Sequence, residues 1–398
     1  MRIEAVDFFY LSMPVVTDAG DGSQDALLVR VNAGGITGWG ECDASPLTSI
    51  ASYVAPMSHG ACKGLRSVVL GKPIETASDI HALAAAVEFE CTDMLQAPHT
   101  FSGIEAALWD ILGKKHSEPV YRLLGYEKAC PKKPYASQMF GATPDETLSN
   151  CRAAREKGYR AVKCGWEPFG RGTLAEDRDQ LAAAREGVGD DCTLLIDAGQ
   201  VWREDVEAAV ARLPYLEEFG VTWLEEPFHG SALNEYAQLA DSSAKVRIAG
   251  GENSHNYYMA KHLIDYGKVS FIQIDCGRIG GIAPAKRVAD YAVARGVTYV
   301  NHTFTSHLAL SASLQPFAGL SGHVICEYPF APKPVALAVT ENHIGVDENG
   351  YISLPEAPGL GMTVNEERFA SYLVDVEIAV NGETIYRTPV SAAKKGAR

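Results

Sequence analysis

At 398 residues, 46% hydrophobic and 21% charged, the chain suits one large α/β unit plus a smaller one, and its composition leaves little room for long disorder. A net charge of −15 excludes nucleic acid and anionic membrane as partners, since both demand a basic surface, and it makes an anionic substrate depend on local positive charge. No internal run approaches the roughly 18 apolar residues of a membrane span, and the opening MRIEAVDFFY is charged where a signal peptide would be apolar, so a cytoplasmic protein is expected.

Residues 1 to about 125 read as a separate α+β unit. A strand in IEAVDFFYLSM leads through the polar stretch Thr17–Gln24 to a second in ALLVRVNAGG. After a Gly-Gly turn, ITGWGEC completes an antiparallel meander. From about Asp79 the pattern becomes helical and ends in SGIEAALWDILGKKH, with Ile104, Ala107, Leu108, Ile111 and Leu112 on one face. The nine cysteines, at 42, 62, 91, 130, 151, 164, 192, 276 and 326, show no CxxC spacing and read as buried, reduced thiols.

From about Pro134 to Phe330, apolar runs of strand length alternate with amphipathic segments of helical length: YASQMF, RAVKC, TLLID, VTWLEE, VRIAG, SFIQID, TYVNH and HVICE. In the first intervening helix Thr143 is a cap, Pro144 suits the first position, and Glu146 completes a capping box. Eight strands separated by helices predict a (β/α) barrel, with an open doubly wound sheet as the alternative. Neither GxGxxG nor GxxxxGK[ST] follows any strand, which removes support for dinucleotide or P-loop chemistry. Beyond Phe330 the chain is turn-rich and is expected to pack back on the N-terminal unit, and the tail SAAKKGAR to fray.

In a parallel barrel the strand ends converge on one mouth, so the last residue of each run carries the chemistry. Asp197, Glu225 and Glu252, 28 and 27 residues apart, close three consecutive runs, and three carboxylates on one rim make a site for a hard divalent cation, most plausibly Mg²⁺. The other strand ends give Lys163, Asp275, His302 and Glu327, so seven successive ends are ionisable.

The motifs SGIEAALWDILGKKHSEPVYRLLG, LLIDAGQVW, WLEEPF, IAGGEN, QIDCGRIGG, VNHTF and ICEYPF, in this order and spacing, resemble the enolase superfamily and, within it, the mandelate racemase subgroup. The resemblance implies a modified (β/α)7β barrel of TIM type over residues 129–330, under a capping domain formed by residues 1–128 and completed by residues 331–398. It implies Mg²⁺ on Asp197, Glu225 and Glu252, a His302–Asp275 dyad in which the aspartate orients the imidazole, and a protonated Glu327 that donates a hydrogen bond to an enediolate oxygen and therefore has a raised pKa. A small carboxylate substrate and a homo-oligomer, dimer or octamer, follow from the same resemblance.

The departure from the family pattern lies on the second strand. There the family often carries Lys-x-Lys, whose second lysine is a base on the face opposite the histidine, whereas this chain has Lys163-Cys164-Gly165. A dehydratase can manage with His302 alone, with Lys163 contacting the substrate carboxylate or an enediolate oxygen. The expected activity is dehydration of a sugar acid to a 2-keto-3-deoxy acid; the alternative is a racemase, epimerase or cycloisomerase of a 2-hydroxy or related acid. Gly165 is expected to free pocket volume for a longer substrate, and the loops Thr17–Gln24 and Asp43-Ala44-Ser45-Pro46 to read its distal end. Among weaker candidates, Glu226 is expected to pair with a lysine or arginine, because it alternates with Glu225. Arg278 suits either an anionic group or a rim carboxylate, His307 falls on the next helix, and His229 is weaker still.

Overall fold

The structure, a computed structural model, describes residues 1–20, 22–43 and 45–389. Asp21 and Ala44, within the two loops expected to read substrate, and the tail 391–398 lie outside the described residues. Strands β1 (Ile3–Ser12), β2 (Asp25–Ala33) and β3 (Ile36–Cys42) form an antiparallel sheet in that order. Gly34 and Gly35 both take positive φ, 57° and 77°, which suits the two-residue hairpin between β2 and β3. The helix Ala97–His116 lies directly on β3. A Cβ at Gly38 or Gly40 would strike the helix backbone at Ala107 or Gly103, so only glycine permits this approach.

The other face of the sheet is covered by the C-terminal segment. Phe369 packs on Phe9 at a ring separation of 5.6 Å, Arg30 pairs with Glu366 at 2.9 Å, and the Tyr386 hydroxyl donates to the Phe8 carbonyl at 2.8 Å. This double covering explains why Phe8, Phe9, Leu27, Leu28 and Val29 are all fully buried rather than alternating with exposed residues.

The second sheet is parallel throughout and nearly closed. Its strands are β4 (Lys133–Met139), β5 (Ala161–Gly165), β6 (Thr193–Asp197), β7 (Val221–Glu225), β8 (Arg247–Gly250), β9 (Phe271–Ile274), β10 (Thr298–Asn301) and β11 (Ile325–Pro329). The order is β10-β9-β8-β7-β6-β5-β4-β11, the barrel expected from the alternating pattern. Between β10 and β11, Asn301 supplies the closure: its side-chain amide donates to the Glu327 carbonyl at 3.2 Å and accepts from the Glu327 N–H at 3.0 Å. Tyr135, Ala161, Leu195, Trp223, Ala249 and Val300 form a separate apolar cluster contributed by six of these strands, the packed plug of a filled barrel. Thr143 caps the first barrel helix by accepting from the Glu146 N–H, while the Glu146 carboxylate reaches the Ala142 amide rather than Thr143.

Polar groups dock the antiparallel unit on the barrel. The fully buried Glu105 accepts from the N–H groups of Ile282 at 2.6 Å and Ala283 at 2.9 Å, the first turn of the helix Ile282–Arg295, and from the Trp109 indole at 2.7 Å. A carboxylate there meets the positive end of the helix dipole. Ser102 accepts from Gly280, and the Asp43 amide donates to the Gly277 carbonyl at 3.2 Å. Among the described residues no helix is long and apolar enough to cross a membrane.

Candidate active site

The parallel strands deliver all seven expected side chains to one end of the barrel. Asp197 and Glu225 end β6 and β7, while Glu252, Asp275 and His302 stand one or two residues beyond β8, β9 and β10. Lys163 and Glu327 are the exceptions to the strand-end rule. Each is the third residue of a five-residue strand, because β5 continues through Gly165 in register with Met139 and Asp197, and β11 continues to Pro329 beside Ser137. Both therefore sit deeper in the barrel than the rim.

Lys163 Nζ occupies the middle of the group. It donates to Glu225 Oε1 at 2.7 Å and lies 3.1 Å from Glu327 Oε1 and 3.5 Å from Asp197 Oδ2. Across the mouth, His302 Nδ1 is 2.7 Å from Asp275 Oδ2, and its Nε2 is 3.1 Å from Glu252 Oε2. Arg278 resolves to a bridge between carboxylates: Nη1 donates to Glu252 at 3.0 Å, while Nε and Nη2 hold Asp43 Oδ2 at 2.8 and 2.7 Å. His307 begins the helix His307–Leu314, where its Nδ1 accepts from the Ile344 amide. His229 accepts from the Ser231 amide on an exposed turn.

Burial and mutual charge set the protonation pattern. Burial alone would depress the Lys163 ammonium, but Glu225 and Glu327 hold it well above its ordinary value. Burial opposes charge on His302 too, yet Glu252 and Glu327 lift it to about 10. Glu225 rises to about 8 by burial, and burial also raises Asp197. Glu327 departs from expectation. Burial pushes it upward, but Lys163, His302 and the Thr303 N–H, which donates at 2.8 Å, hold it below the usual glutamate value, so it is an ionised acceptor rather than a protonated donor.

Glu226 also departs from expectation. Its φ of +40° breaks the strand alternation, and its side chain lines the same cavity as Asp197 and Glu252. It is hydrogen-bonded by Gln200 at 3.1 Å and Asn253 at 2.8 Å, not by a lysine or arginine. Gly165 lines the cavity, but a Cβ there would lie 3.1 Å from Asp197 Cβ and 3.3 Å from Oδ2, so a side chain enters only if Asp197 gives by a few tenths of an ångström. The Asp197 side chain on the neighbouring strand is the group that crowds residue 165.

The family described as "Mandelate racemase / muconate lactonizing enzyme, N-terminal domain" matches residues 9–125, and that described as "Enolase C-terminal domain-like" matches residues 146–368. The chain belongs to the enolase superfamily, in the mandelate racemase subgroup. A solved structure from Rhodobacter sphaeroides, described as a predicted mandelate racemase, is 61% identical over 98% of this chain and 100% of its own, with a TM-score of 0.95. L-talarate/galactarate dehydratase of Salmonella typhimurium is 34% identical, covering 68% of this chain and 64% of the relative. D-galactarolactone cycloisomerase of Agrobacterium fabrum is 29% identical, covering 68% and 73%.

Superfamily members use Mg²⁺, and the chemistry of this donor set fits a hard dication. Burial and then neighbouring carboxylates raise the cost of ionising Asp197, Glu225 and Glu226, while His302, Arg278 and Lys163 hold Glu252 below its ordinary value. Oxygen donors with an excess of negative charge over nearby cations suit Mg²⁺ rather than a soft metal. Among the described residues the tightest group of potential ligands is a different one, Asp43, Asp275 and His302, with ligand atoms within 4.8 Å. Two of its members are already committed, Asp43 to Arg278 and Asp275 to His302 and the Gly277 N–H, which reads as orientation of the imidazole.

A cavity of about 1040 Å³ opens over the group, walled by the barrel rim and by the antiparallel unit. Several of its lining residues escaped the sequence reading. Trp166 follows Gly165 at a φ of +65° and packs against Gly20 and Gly199, and the Phe304 ring stands edge-on to His302 at 5.0 Å. His99 and His255 meet across the two units with Nε2 and Nδ1 2.7 Å apart. The available signal was position alone: Trp166, His255 and Phe304 follow Lys163, Glu252 and His302 by two or three places.

Proposed function

We propose that the protein is a Mg²⁺-dependent dehydratase of a sugar acid, yielding a 2-keto-3-deoxy acid. The asymmetry of the site carries this reading: the His302–Asp275 dyad stands on one side, and residue 165 of β5 is a glycine that supplies no second base.

Asp197, Glu225 and Glu252 would hold the cation, which when bound makes a substrate carboxylate's α-proton more acidic and stabilises the enediolate charge. Asp275 accepts from His302 Nδ1–H and leaves Nε2 as the basic nitrogen. Nε2 takes the α-proton, and the C–H electron pair moves into the carboxylate to give the enediolate. Lys163, steered by the ionised Glu327, sets its ammonium against the growing oxygen charge. Collapse of the enediolate breaks the β-carbon–oxygen bond, and the His302 imidazolium returns its proton so that hydroxide leaves as water. The resulting enol tautomerises to the ketone.

Incubation of the Mg²⁺-loaded protein with a panel of aldonic and aldaric acids, read by semicarbazide for 2-keto-3-deoxy products, tests the reading. Product from at least one acid is expected, and silence across the panel sinks it. Similarity to the Agrobacterium cycloisomerase favours a second reading, isomerisation of a lactone or 2-hydroxy acid. Solvent deuterium entering the α-position of both stereoisomers without loss of water would select it. Cytoplasmic residence fits nine cysteines that are all free thiols. Association into a dimer or octamer is supported by strongly exposed apolar side chains such as Val15, Phe89 and Leu95.

A further inference from the structure

The cap side of the cavity sets two carboxylates, Asp25 and Asp43, among groups such as Ser45 and Gln96 that can also donate. Asp25, the first residue of β2, lines the cavity, and no hydrogen bond or ion pair to its carboxylate forms among the described residues. Burial, and then the charge of Asp43, raise it to about 6, which leaves it an anion at neutral pH. Asp43 stands near it, held by Arg278.

His99 and His255 add a neutral acceptor. Burial, then the neighbouring His255 and Arg278, take His99 down to about 4, and burial and Arg278 lower His255 as well. His99 Nδ1 is sealed from solvent with no hydrogen-bond partner in range, and the Asp43 backbone is a polar group that favours a proton on the ring. Of the two tautomers the 2.7 Å contact allows, the one with a proton on that nitrogen makes His99 Nε2 the acceptor and His255 Nδ1 the donor. The remaining nitrogen of His255, Nε2, is then a bare lone pair on a residue that lines the cavity.

Every cation on the same wall is engaged. Arg278 spans Asp43 and Glu252, Lys163 lies among Glu225, Glu327 and Asp197, and Lys333 has a partner of its own. A second carboxylate reaching Asp25 would meet like charge, whereas a hydroxyl there has an acceptor to donate to.

We propose that the site selects polyhydroxylated monocarboxylates over dicarboxylates, with Asp25 and His255 accepting hydrogen bonds from substrate hydroxyls and His99 fixing the His255 tautomer. The proposal rests on the sugar-acid reading above, in which the substrate's one carboxylate is anchored at the barrel rim.

The test is calorimetric titration of the Mg²⁺-loaded full chain with matched pairs: D-gluconate and D-glucarate, D-galactonate and galactarate, D-xylonate and xylarate, D-arabinonate and D-arabinarate. In each pair that binds, the monoacid is expected to bind at least fivefold tighter, and Asp25→Asn to narrow that ratio at least threefold with Mg²⁺ affinity unchanged. His255→Phe should weaken monoacid binding at least tenfold, and His255→Gln, which keeps an acceptor, should restore most of it. Ring ¹⁵N shifts should show His255 Nε2 unprotonated at neutral pH and lose that signature in His99→Phe. A smaller ratio, a preference for the diacid, or no binding by either series overturns the proposal. Monoacid preference without any 2-keto-3-deoxy product refutes the dehydratase reading and leaves the selectivity standing.

Discussion

Gly165→Ala separates the packing of the site from its chemistry with a single methyl group. The added Cβ would stand 3.1 Å from Asp197 Cβ, 3.3 Å from Oδ2 and 3.4 Å from Cγ, so Asp197 or β5 must yield by a few tenths of an ångström. Overpacking of this kind costs about 1–3 kcal/mol, and replacing a strand glycine returns about 0.5–1 kcal/mol. The net loss of stability is therefore about 2 kcal/mol at most, a Tm shift of a few degrees. Mg²⁺ is far less tolerant, because it requires near-octahedral oxygen geometry at about 2.0–2.1 Å. Disturbing the support of one ligand lowers affinity by about 10–100-fold, and a displacement this small belongs near the tenfold end. Calorimetric titration of Mg²⁺ into chelator-stripped protein, paired with a thermal melt, reads both quantities. Mg²⁺ affinity within twofold of the wild type would refute Asp197 as a ligand supported by the glycine.

Other consequences follow from groups whose charge depends on their surroundings. Burial raises Glu105 to about 7, above its unfolded value of 4.5, so the folded state holds the proton more tightly and stability should fall as pH rises from about 4.5 to 7. Denaturant melts at pH 5 and 7 should show a loss of about 2 kcal/mol, and Glu105→Gln should flatten it; an equal slope in both proteins would mean the carboxylate is already ionised well below neutral. In metal-free protein Glu252 and Glu327 keep His302 protonated to about 10, so the stability this charge contributes is complete below its unfolded pKa and lost as pH rises through about 10. Adding Mg²⁺ should cancel part of the carboxylate charge and lower the His302 pKa, a shift visible by histidine-selective NMR; an unchanged titration would place the ion away from Glu252.

Where a rule depends only on neighbours in sequence, the fold and site were readable. The meander boundaries at Ser12, Ala33, Ile36 and Cys42 follow from apolar runs and a Gly-Gly turn, and the barrel follows from eight alternating runs. Asp197 and Glu225 were legible because each ends its run. Departures arose where a partner lies far along the chain. The crowding at Gly165 was hidden because Asp197 belongs to the next strand, and register alone brings the two together. Glu226 escaped the alternation rule through a single positive φ. Glu327 was expected neutral, and the ammonium that keeps it charged comes from Lys163, 164 residues earlier. The Asn301 closure, the Glu105 cap and the His99–His255 contact likewise join segments with no local signature.

The central claim is that His302 Nε2 is the base that takes the α-proton. Single-turnover kinetics of His302→Asn on an acid the wild type dehydrates, in Mg²⁺-loaded protein, test it most directly. Loss of a general base costs about 10²–10⁴-fold, so the variant should lose at least a hundredfold in rate, lose exchange of the α-proton with solvent deuterium, and bind Mg²⁺ as the wild type does. Turnover within tenfold of the wild type, or α-exchange that survives the substitution, would contradict it.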